Sequence, residues 1–117
     1  MSMRTLLALT LVWLLLPSYA VAQYTGPSAM GRTSTVEQAL SSRVNTYVTV
    51  TGNIVAHLRE NYYTFRDNTG VIRVEIEAPV WRNREVGPDT TVRLLGEIDR
   101  NAAGTIYLWV ESLEIIE

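Results

Sequence analysis

The chain has 117 residues, which is the length of one ordinary domain. It contains no Cys, and all 10 of its basic residues are Arg. The composition therefore excludes disulfides, a thiolate nucleophile, a Cys-based metal site and a Schiff-base lysine. The net charge of −2 argues against a general binder of polyanions, because such a protein needs a basic surface field.

The first 22 residues contain the three parts of a secretory signal peptide. Arg4 supplies a positive charge, residues 6–16 form an apolar run, and Ala20-Val21-Ala22 is a small-x-small cleavage site. The alternative is an uncleaved anchor, but a helix of about eleven residues rises only about 16 Å and a bilayer core is about 30 Å thick. We therefore expect cleavage after Ala22 and an exported protein.

A flexible arm and a short helix are predicted next. Residues 23–33 are rich in Gly, Ser, Thr and Pro, which is typical of an irregular segment. Ser34 and Glu37 have the spacing of a capping box, and an apolar stripe at helical spacing follows them. The pattern predicts a helix over residues 35–42 at the start of one domain that spans residues 34–117.

From Tyr47 onward the apolar period changes to two, which indicates strands with one buried face. Five such segments are predicted, over residues 47–54, 62–66, 72–77, 92–98 and 106–115. Gly52 and Gly96 lie at mid-strand and favour a curled sheet, and a register change is expected at Ser112. Short strands of this kind call for a sandwich or a small barrel. The prediction is an all-β, five-stranded OB-fold barrel preceded by a short N-terminal helix.

Several segments of the chain resemble one known family. They are Thr35-Val36-Glu37-Gln38-Ala39, Thr51-Gly52-Asn53-Ile54-Val55, residues 63–67 and 70–76, Trp81, Pro88, Gly96-Glu97-Ile98-Asp99 and residues 24–28. In order and spacing they are similar to the bacterial OB-fold (BOF) family, the small exported proteins of the YgiW/YdeI type. The resemblance covers nearly all of the chain after the signal peptide.

The resemblance implies a periplasmic OB barrel without enzyme activity. It further implies binding of small or charged envelope ligands and a role in stress tolerance. The family has no agreed set of functional residues, so no site is carried over from it. Tyr107 and Trp109 depart from the family pattern, in which polar residues are expected at these positions.

A cationic strip is the candidate ligand site. OB folds bind ligands across their second and third strands and the adjoining loops. Five residues are expected at that face: Arg59, Tyr62, Arg66, Arg73 and Arg100. Such a strip could hold an anionic glycan, a phosphate or a peptide carboxylate. The alternative is a solvated surface in which these arginines pair with neighbouring glutamates.

Tyr107 and Trp109 alternate with core residues, so both are expected to point out of the barrel. Either the N-terminal helix covers them, or they form a platform for a sugar ring, a base or a protein partner. The second possibility gives a rival function, in which a soluble adaptor docks onto an envelope protein. Binding of single-stranded nucleic acid is a third hypothesis, which export and the acidic charge balance disfavour.

Neither catalysis nor a metal ion or other cofactor is predicted. Glu75 and Glu77 lie about 7 Å apart on one strand face, but nothing in the sequence buries either carboxylate. His57 is the single His and is expected in a loop, where it lacks the partners that a zinc site needs. The oligomeric state stays open.

Overall fold

The computed structural model describes residues 31–116. The predicted signal peptide and residues 23–30 of the predicted arm lie outside the described residues. The elements are β1 (Arg32–Thr33), α1 (Val36–Leu40), β2 (Tyr47–Arg59), β3 (Tyr62–Asp67), β4 (Gly70–Glu75), α2 (Ala78–Trp81), β5 (Thr91–Arg100) and β6 (Ile106–Ile115). Within this range no helix is long and apolar enough to cross a membrane.

Strands β2 to β6 close into a five-stranded barrel. Their order is β2-β3-β4-β6-β5, and β5 pairs in turn with β2. The β4–β6 pair is parallel and the other barrel pairs are antiparallel. Closure leaves no long sheet edge open to another chain. The predicted all-β, five-stranded OB barrel is therefore confirmed.

One apolar cluster fills the barrel. Its members are the inward-facing residues of the five barrel strands, together with two residues of α1 and Ile76. They are Val36, Ala39, Val48, Val50, Ile54, Phe65, Ile72, Val74, Ile76, Val92, Leu94, Ile98, Leu108, Val110 and Leu113. No polar or charged residue of the described range is buried. The alternation read from the sequence therefore assigns the core correctly, because period-two strands direct every second side chain inward.

The two mid-strand glycines mark close approaches of neighbouring strands. A Cβ at Gly52 would collide with the carbonyl oxygen of Arg66, and one at Gly96 would collide with the carbonyl oxygen of Trp109. The register irregularities of β2 lie beyond Gly52, between Ile54 and Ala56 and again near Arg59. Gly52 therefore permits tight strand packing rather than forming a bulge itself.

The predicted register change in the last strand is confirmed, one residue earlier than expected. Leu95 pairs with Ser112 whereas Gly96 pairs with Val110, so Glu111 is the extra residue. This bulge changes the phase of the strand. Leu113 consequently faces the core, although it lies an odd number of residues after Val110.

The N-terminal helix is shorter than predicted and is capped one residue later. The capping box joins Thr35 and Gln38 rather than Ser34 and Glu37. The Thr35 hydroxyl accepts a hydrogen bond from the Gln38 backbone N–H at 3.1 Å, and Gln38 Oε1 accepts from the Thr35 N–H at 2.9 Å. The spacing rule holds for both pairs, but Ser34 continues the backbone pairing with β2 through its N–H to the Thr49 carbonyl, so Thr35 is the cap.

Asp67, in the turn between β3 and β4, anchors α1 to the barrel. Its Oδ2 accepts a hydrogen bond from the Val36 N–H at 2.9 Å, and its Oδ1 accepts from the Thr69 hydroxyl and from two backbone N–H groups of the turn. Partial burial by itself raises the pKa of Asp67, but these hydrogen bonds outweigh it and lower the pKa below the ordinary value.

The predicted arm ends earlier than Thr33. Arg32 and Thr33 form β1, which pairs in parallel with β2 at Val48 and Thr49. The Ser34 N–H extends this pairing by donating to the Thr49 carbonyl at 2.9 Å. The Gly-, Ser- and Thr-rich composition concealed this strand, because backbone pairing with β2 does not depend on side-chain type.

Candidate ligand-binding site

Two rows of outward side chains cross the barrel wall. The first row contains Tyr62, Glu75, Trp109, Glu97 and Tyr47, each paired with the next on the neighbouring strand. The second row contains Thr64, Arg73, Tyr107 and Asp99, paired in the same way. All nine residues are partly buried. We call these two rows the strand face.

Tyr62 is the centre of a compact cluster at one end of the strand face. The guanidinium carbons of Arg59 and Arg73 lie 5.6 Å and 5.9 Å from the centroid of its ring. Tyr107 meets the same ring edge-on, with centroids 6.1 Å apart and planes at 79°. Two cations therefore share one aromatic ring, an arrangement that the electron-rich faces of tyrosine favour.

The arginines of this cluster remain available to solvent. Arg59 makes a 3.7 Å ion pair with Glu60, in which both side chains are mostly exposed. A surface pair of this length contributes little to stability. Among residues 31–116 the one other ion pair joins Arg93 to Glu114. The guanidinium of Arg73 consequently has no carboxylate partner within the described part of the chain.

Carboxylates dominate the other end of the strand face. Burial raises the pKa of Glu75, and the negative charges of Glu77 and Asp99 raise it further. Burial likewise raises the pKa of Tyr47, with added effects from Glu97 and Glu111. Two guanidinium groups therefore lie at Tyr62, whereas carboxylates stand on both sides of Trp109.

Tyr107 joins the two ends of the strand face. Its hydroxyl donates to Asp99 Oδ2 at 3.1 Å. Burial, this hydrogen bond and the charges of Asp99 and Glu75 together raise its pKa from 10.0 to about 12. The phenol therefore stays protonated and keeps its hydrogen bond to Asp99 across the ordinary pH range.

Two of the predicted ligand-binding residues lie apart from the cluster. Arg66 points outward on β3 but pairs with Asn53 and Val71, four residues from Tyr62, or about 13 Å along a strand. Arg100 donates through Nη1 to the Gly104 carbonyl at 3.2 Å, within the turn between β5 and β6. The cluster consequently contains Arg59, Tyr62 and Arg73 of the predicted set.

Tyr107 and Trp109 point outward as predicted. The N-terminal helix does not cover them, because α1 packs on β4 and on the turn that precedes β4. Tyr107 is already engaged by Tyr62 and Asp99, whereas the Trp109 ring lies between two carboxylate positions, those of Glu75 and Glu97.

Sequence reasoning missed four residues of the strand face: Tyr47, Thr64, Glu97 and Asp99. Their signal was present, because each alternates with core residues on its own strand. Strand pairing was needed to bring Thr64 beside Arg73, Tyr47 beside Glu97, and Glu97 and Asp99 beside Trp109 and Tyr107. A period-two pattern gives the face of a strand but not its neighbours.

His57 lies on β2 rather than in a loop, and both His57 and Trp81 contact Tyr63. His57 Nε2 lies 2.8 Å from the Glu60 carbonyl oxygen, and its ring stacks on Tyr63 at 4.7 Å. Trp81, the last residue of α2, meets Tyr63 edge-on at 5.3 Å and packs against the core. Among the residues that the structure describes, no group of three or more His, Asp or Glu side chains could hold a metal ion.

The sequence matches the family model described as bacterial OB fold (BOF) protein over residues 17–114. The chain belongs to the bacterial OB-fold (BOF) family. The resemblance seen in its sequence motifs is therefore confirmed. Proteins of this OB-fold family are generally binding proteins rather than enzymes.

Two relatives agree with this assignment. The chain is 40% identical over 96 residues to the calcium-regulated OB-fold protein CarO of Pseudomonas aeruginosa, with 82% of each chain covered. It is 40% identical over 89 residues to protein YgiW of Escherichia coli K12, covering 67% of this chain and 68% of YgiW. The solved structure of YgiW superposes with a TM-score of 0.70 at 35% identity, covering 81% of this chain and 99% of that one.

Proposed function

We propose that this BOF protein is a non-enzymatic periplasmic binding protein that acts in stress tolerance. Its ligand is an extended, sugar-containing envelope component that carries an anionic group, bound on the strand face. The observation that supports this proposal is the cluster in which Arg59 and Arg73 both contact the ring of Tyr62. A preorganised pair of guanidinium groups suits a carboxylate or phosphate, which accepts bidentate hydrogen bonds from arginine.

The rest of the first row, beyond Tyr62, suits a sugar ring. Trp109 is outward and partly buried, and the flat face of an indole packs well on the apolar face of a pyranose. Glu75 and Glu97 flank it on the adjacent strands, where their carboxylates can accept hydrogen bonds from sugar hydroxyls. Tyr62 on β3 and Trp109 on β6 lie on either side of β4, and both pair with Glu75, so an anionic group at Tyr62 and a sugar at Trp109 would be one strand apart.

The same charges disfavour a long polyanion. A nucleic-acid strand that crossed the face would place successive phosphates against Glu75, Glu97 and Asp99. Binding to nucleic acid gains its affinity from many phosphate contacts to Arg or Lys, and the cluster at Tyr62 offers two such side chains, Arg59 and Arg73. A ligand with one or a few negative groups is the better match.

A thermal-shift screen of the purified protein tests the proposal. The probes are peptidoglycan fragments, lipopolysaccharide sugars, polyamines, phosphates and short oligonucleotides. A ligand at 100 times its Kd adds about 2.7 kcal/mol of stability, which for a domain of this size is a shift of several degrees. We expect the largest shift with an acidic glycan, and no shift with neutral sugars or polyamines.

Three single variants locate the binding site. Arg73→Ala and Trp109→Ala are expected to abolish the ligand-induced shift without lowering the melting temperature of the free protein, since both side chains point away from the core. Arg66→Ala removes the same charge from an outward position on β3 about 13 Å along the strand from Tyr62, the centre of the cluster, and should bind as the wild type does. Loss of binding in Arg66→Ala together with normal binding in Arg73→Ala would contradict the proposed site.

The adaptor hypothesis predicts a different set of results. In that case no probe changes the melting temperature, and the protein instead captures an envelope protein. If this capture is lost in Trp109→Ala and kept in Arg73→Ala, docking through Tyr107 and Trp109 replaces the ligand proposal. The intramolecular contacts of Tyr107 with Tyr62 and Asp99 favour the ligand proposal, because they hold this ring within the face rather than projecting it toward a partner.

A further inference from the structure

A cavity lies away from the strand face. It has a volume of about 550 Å³ and opens between β1, α1 and the connection from α1 to β2. Eight residues line it: two arginines, one glutamine and five residues with hydroxyl groups. None of them is apolar or acidic. The volume is within the range of small-molecule sites, but the lining is far more polar than is usual for them.

The two arginines make this cavity positive in a protein whose overall charge is negative. Arg32 and Arg43 both line it, and neither takes part in the ion pairs formed within residues 31–116. Arg32 lies on β1 and Arg43 follows α1, so the two cations approach the cavity from different elements. An oxyanion placed between them would gain charge-assisted hydrogen bonds from both.

The polar groups of the lining divide into donors and acceptors. Gln38 Oε1 already accepts from the Thr35 N–H at 2.9 Å, which fixes the side-chain amide and leaves its two N–H groups to donate. Ser34, Ser41 and Ser42 donate their hydroxyl protons to backbone carbonyls, so their oxygens remain as acceptors. A ligand that combines an oxyanion with hydroxyl groups uses both kinds.

The walls of the cavity are held in place by contacts outside it. On one side, β1 pairs with β2, and the Thr49 hydroxyl donates to the Gly31 carbonyl at 3.1 Å. On the other side, α1 is anchored through the hydrogen bond from the Val36 N–H to Asp67. A site that is formed before the ligand arrives loses less free energy to ordering on binding.

We propose that this cavity is a binding site for a small anionic sugar, a hydroxyl-rich molecule that carries one phosphate or carboxylate group. The oxyanion lies between Arg32 and Arg43, and the sugar hydroxyls contact Gln38 and the serine oxygens. This site shares no residue with the strand face, and the proposal does not depend on the function proposed for the strand face.

Isothermal titration calorimetry on the purified protein tests this proposal with four probes. Glucose 6-phosphate and glucuronate carry the two sources of the oxyanion, glucose lacks it, and inorganic phosphate lacks the sugar. We expect at least one of the two anionic sugars to bind. If both bind, the one with the higher affinity identifies the preferred oxyanion. Glucose should not bind, and inorganic phosphate should bind more weakly than glucose 6-phosphate. Equal binding of inorganic phosphate and glucose 6-phosphate, or no binding of either anionic sugar, would overturn the proposal.

A matched pair of double variants locates the site. Arg32→Gln with Arg43→Gln is expected to weaken binding of the anionic sugar by about tenfold or more. Arg66→Gln with Arg82→Gln removes the same charge at exposed positions outside the cavity and should leave the affinity unchanged. Chemical-shift changes of backbone amides on ligand addition should be confined to residues 31–46. Equal weakening in both double variants, or shift changes centred on Tyr62, would contradict binding in this cavity.

Discussion

Tyr107 shows how one side chain on a half-buried surface acquires unusual chemistry. Its ring packs on Tyr62 while its hydroxyl donates to Asp99. Ionisation of the hydroxyl would therefore break this hydrogen bond and place two negative charges next to each other. The pKa near 12 follows from this environment rather than from the residue type. Outward residues of a strand are therefore not equivalent, and the pairing of the strands decides which of them are preorganised.

The titration of Tyr107 gives a prediction at the residue scale. In the wild type, one tyrosine should ionise near pH 12, above the ordinary value of 10.0, as followed by the ultraviolet absorbance of tyrosinate. Because the folded protein holds this proton more tightly than the unfolded chain, the contribution to stability is complete below pH 10 and is lost between pH 10 and 12. Tyr107→Phe should remove the late step, and a late step that persists in this variant belongs to another tyrosine.

At the scale of the elements, two strands of the barrel approach more closely than side chains permit. Gly96 on β5 lies against the Trp109 carbonyl of β6, next to the bulge at Glu111 that changes the phase of that strand. The glycine is needed for space, not for a left-handed backbone conformation. The curvature that closes the barrel depends on this local contact.

Gly96→Ala tests this account of the curvature. The new methyl group would meet the Trp109 backbone and would lie 2.8 Å from Leu108 Cγ, so the two strands must separate. We expect the free energy of unfolding to fall by about 1–3 kcal/mol in urea denaturation. Gly87→Ala is the matched control, because a Cβ there meets no atom within 4 Å. If both variants unfold at the same urea concentration, close strand packing at Gly96 is not required.

At the scale of the whole molecule, the fold is held by a single apolar core and needs no covalent link. The chain has no Cys, and the described range buries no polar or charged residue. Stability should therefore not depend on the redox state of the compartment. This property is compatible with export, which the first 22 residues predict.

Export gives the prediction at this scale. Expressed in a Gram-negative host, the protein should be released with the periplasmic fraction on osmotic shock, and N-terminal sequencing should find Gln23 as its first residue. Deletion of residues 1–22 should retain the protein in the cytoplasm. Recovery of the full-length chain from the membrane fraction would instead support the uncleaved anchor.

The sequence by itself determined the elements and the inside of the barrel. Period-two alternation identified the five barrel strands, their inward residues and the phase change near Ser112, because burial of one strand face is a local property of the pattern. It assigned the capping box one residue too early and missed β1, since cap spacing and backbone pairing are only weakly encoded in side-chain type. It also placed Arg59, Tyr62 and Arg73 correctly on one face.

The tertiary structure alone decided which outward residues meet. The pairing of β4 with β6 is parallel and links segments more than thirty residues apart, so no local pattern could place Tyr107 beside Arg73 or Trp109 beside Glu75. The same is true of the cavity at Arg32 and Arg43, whose walls come from β1, α1 and the connections beside them. Local sequence fixes which way a side chain points, whereas closure of the barrel fixes what it faces.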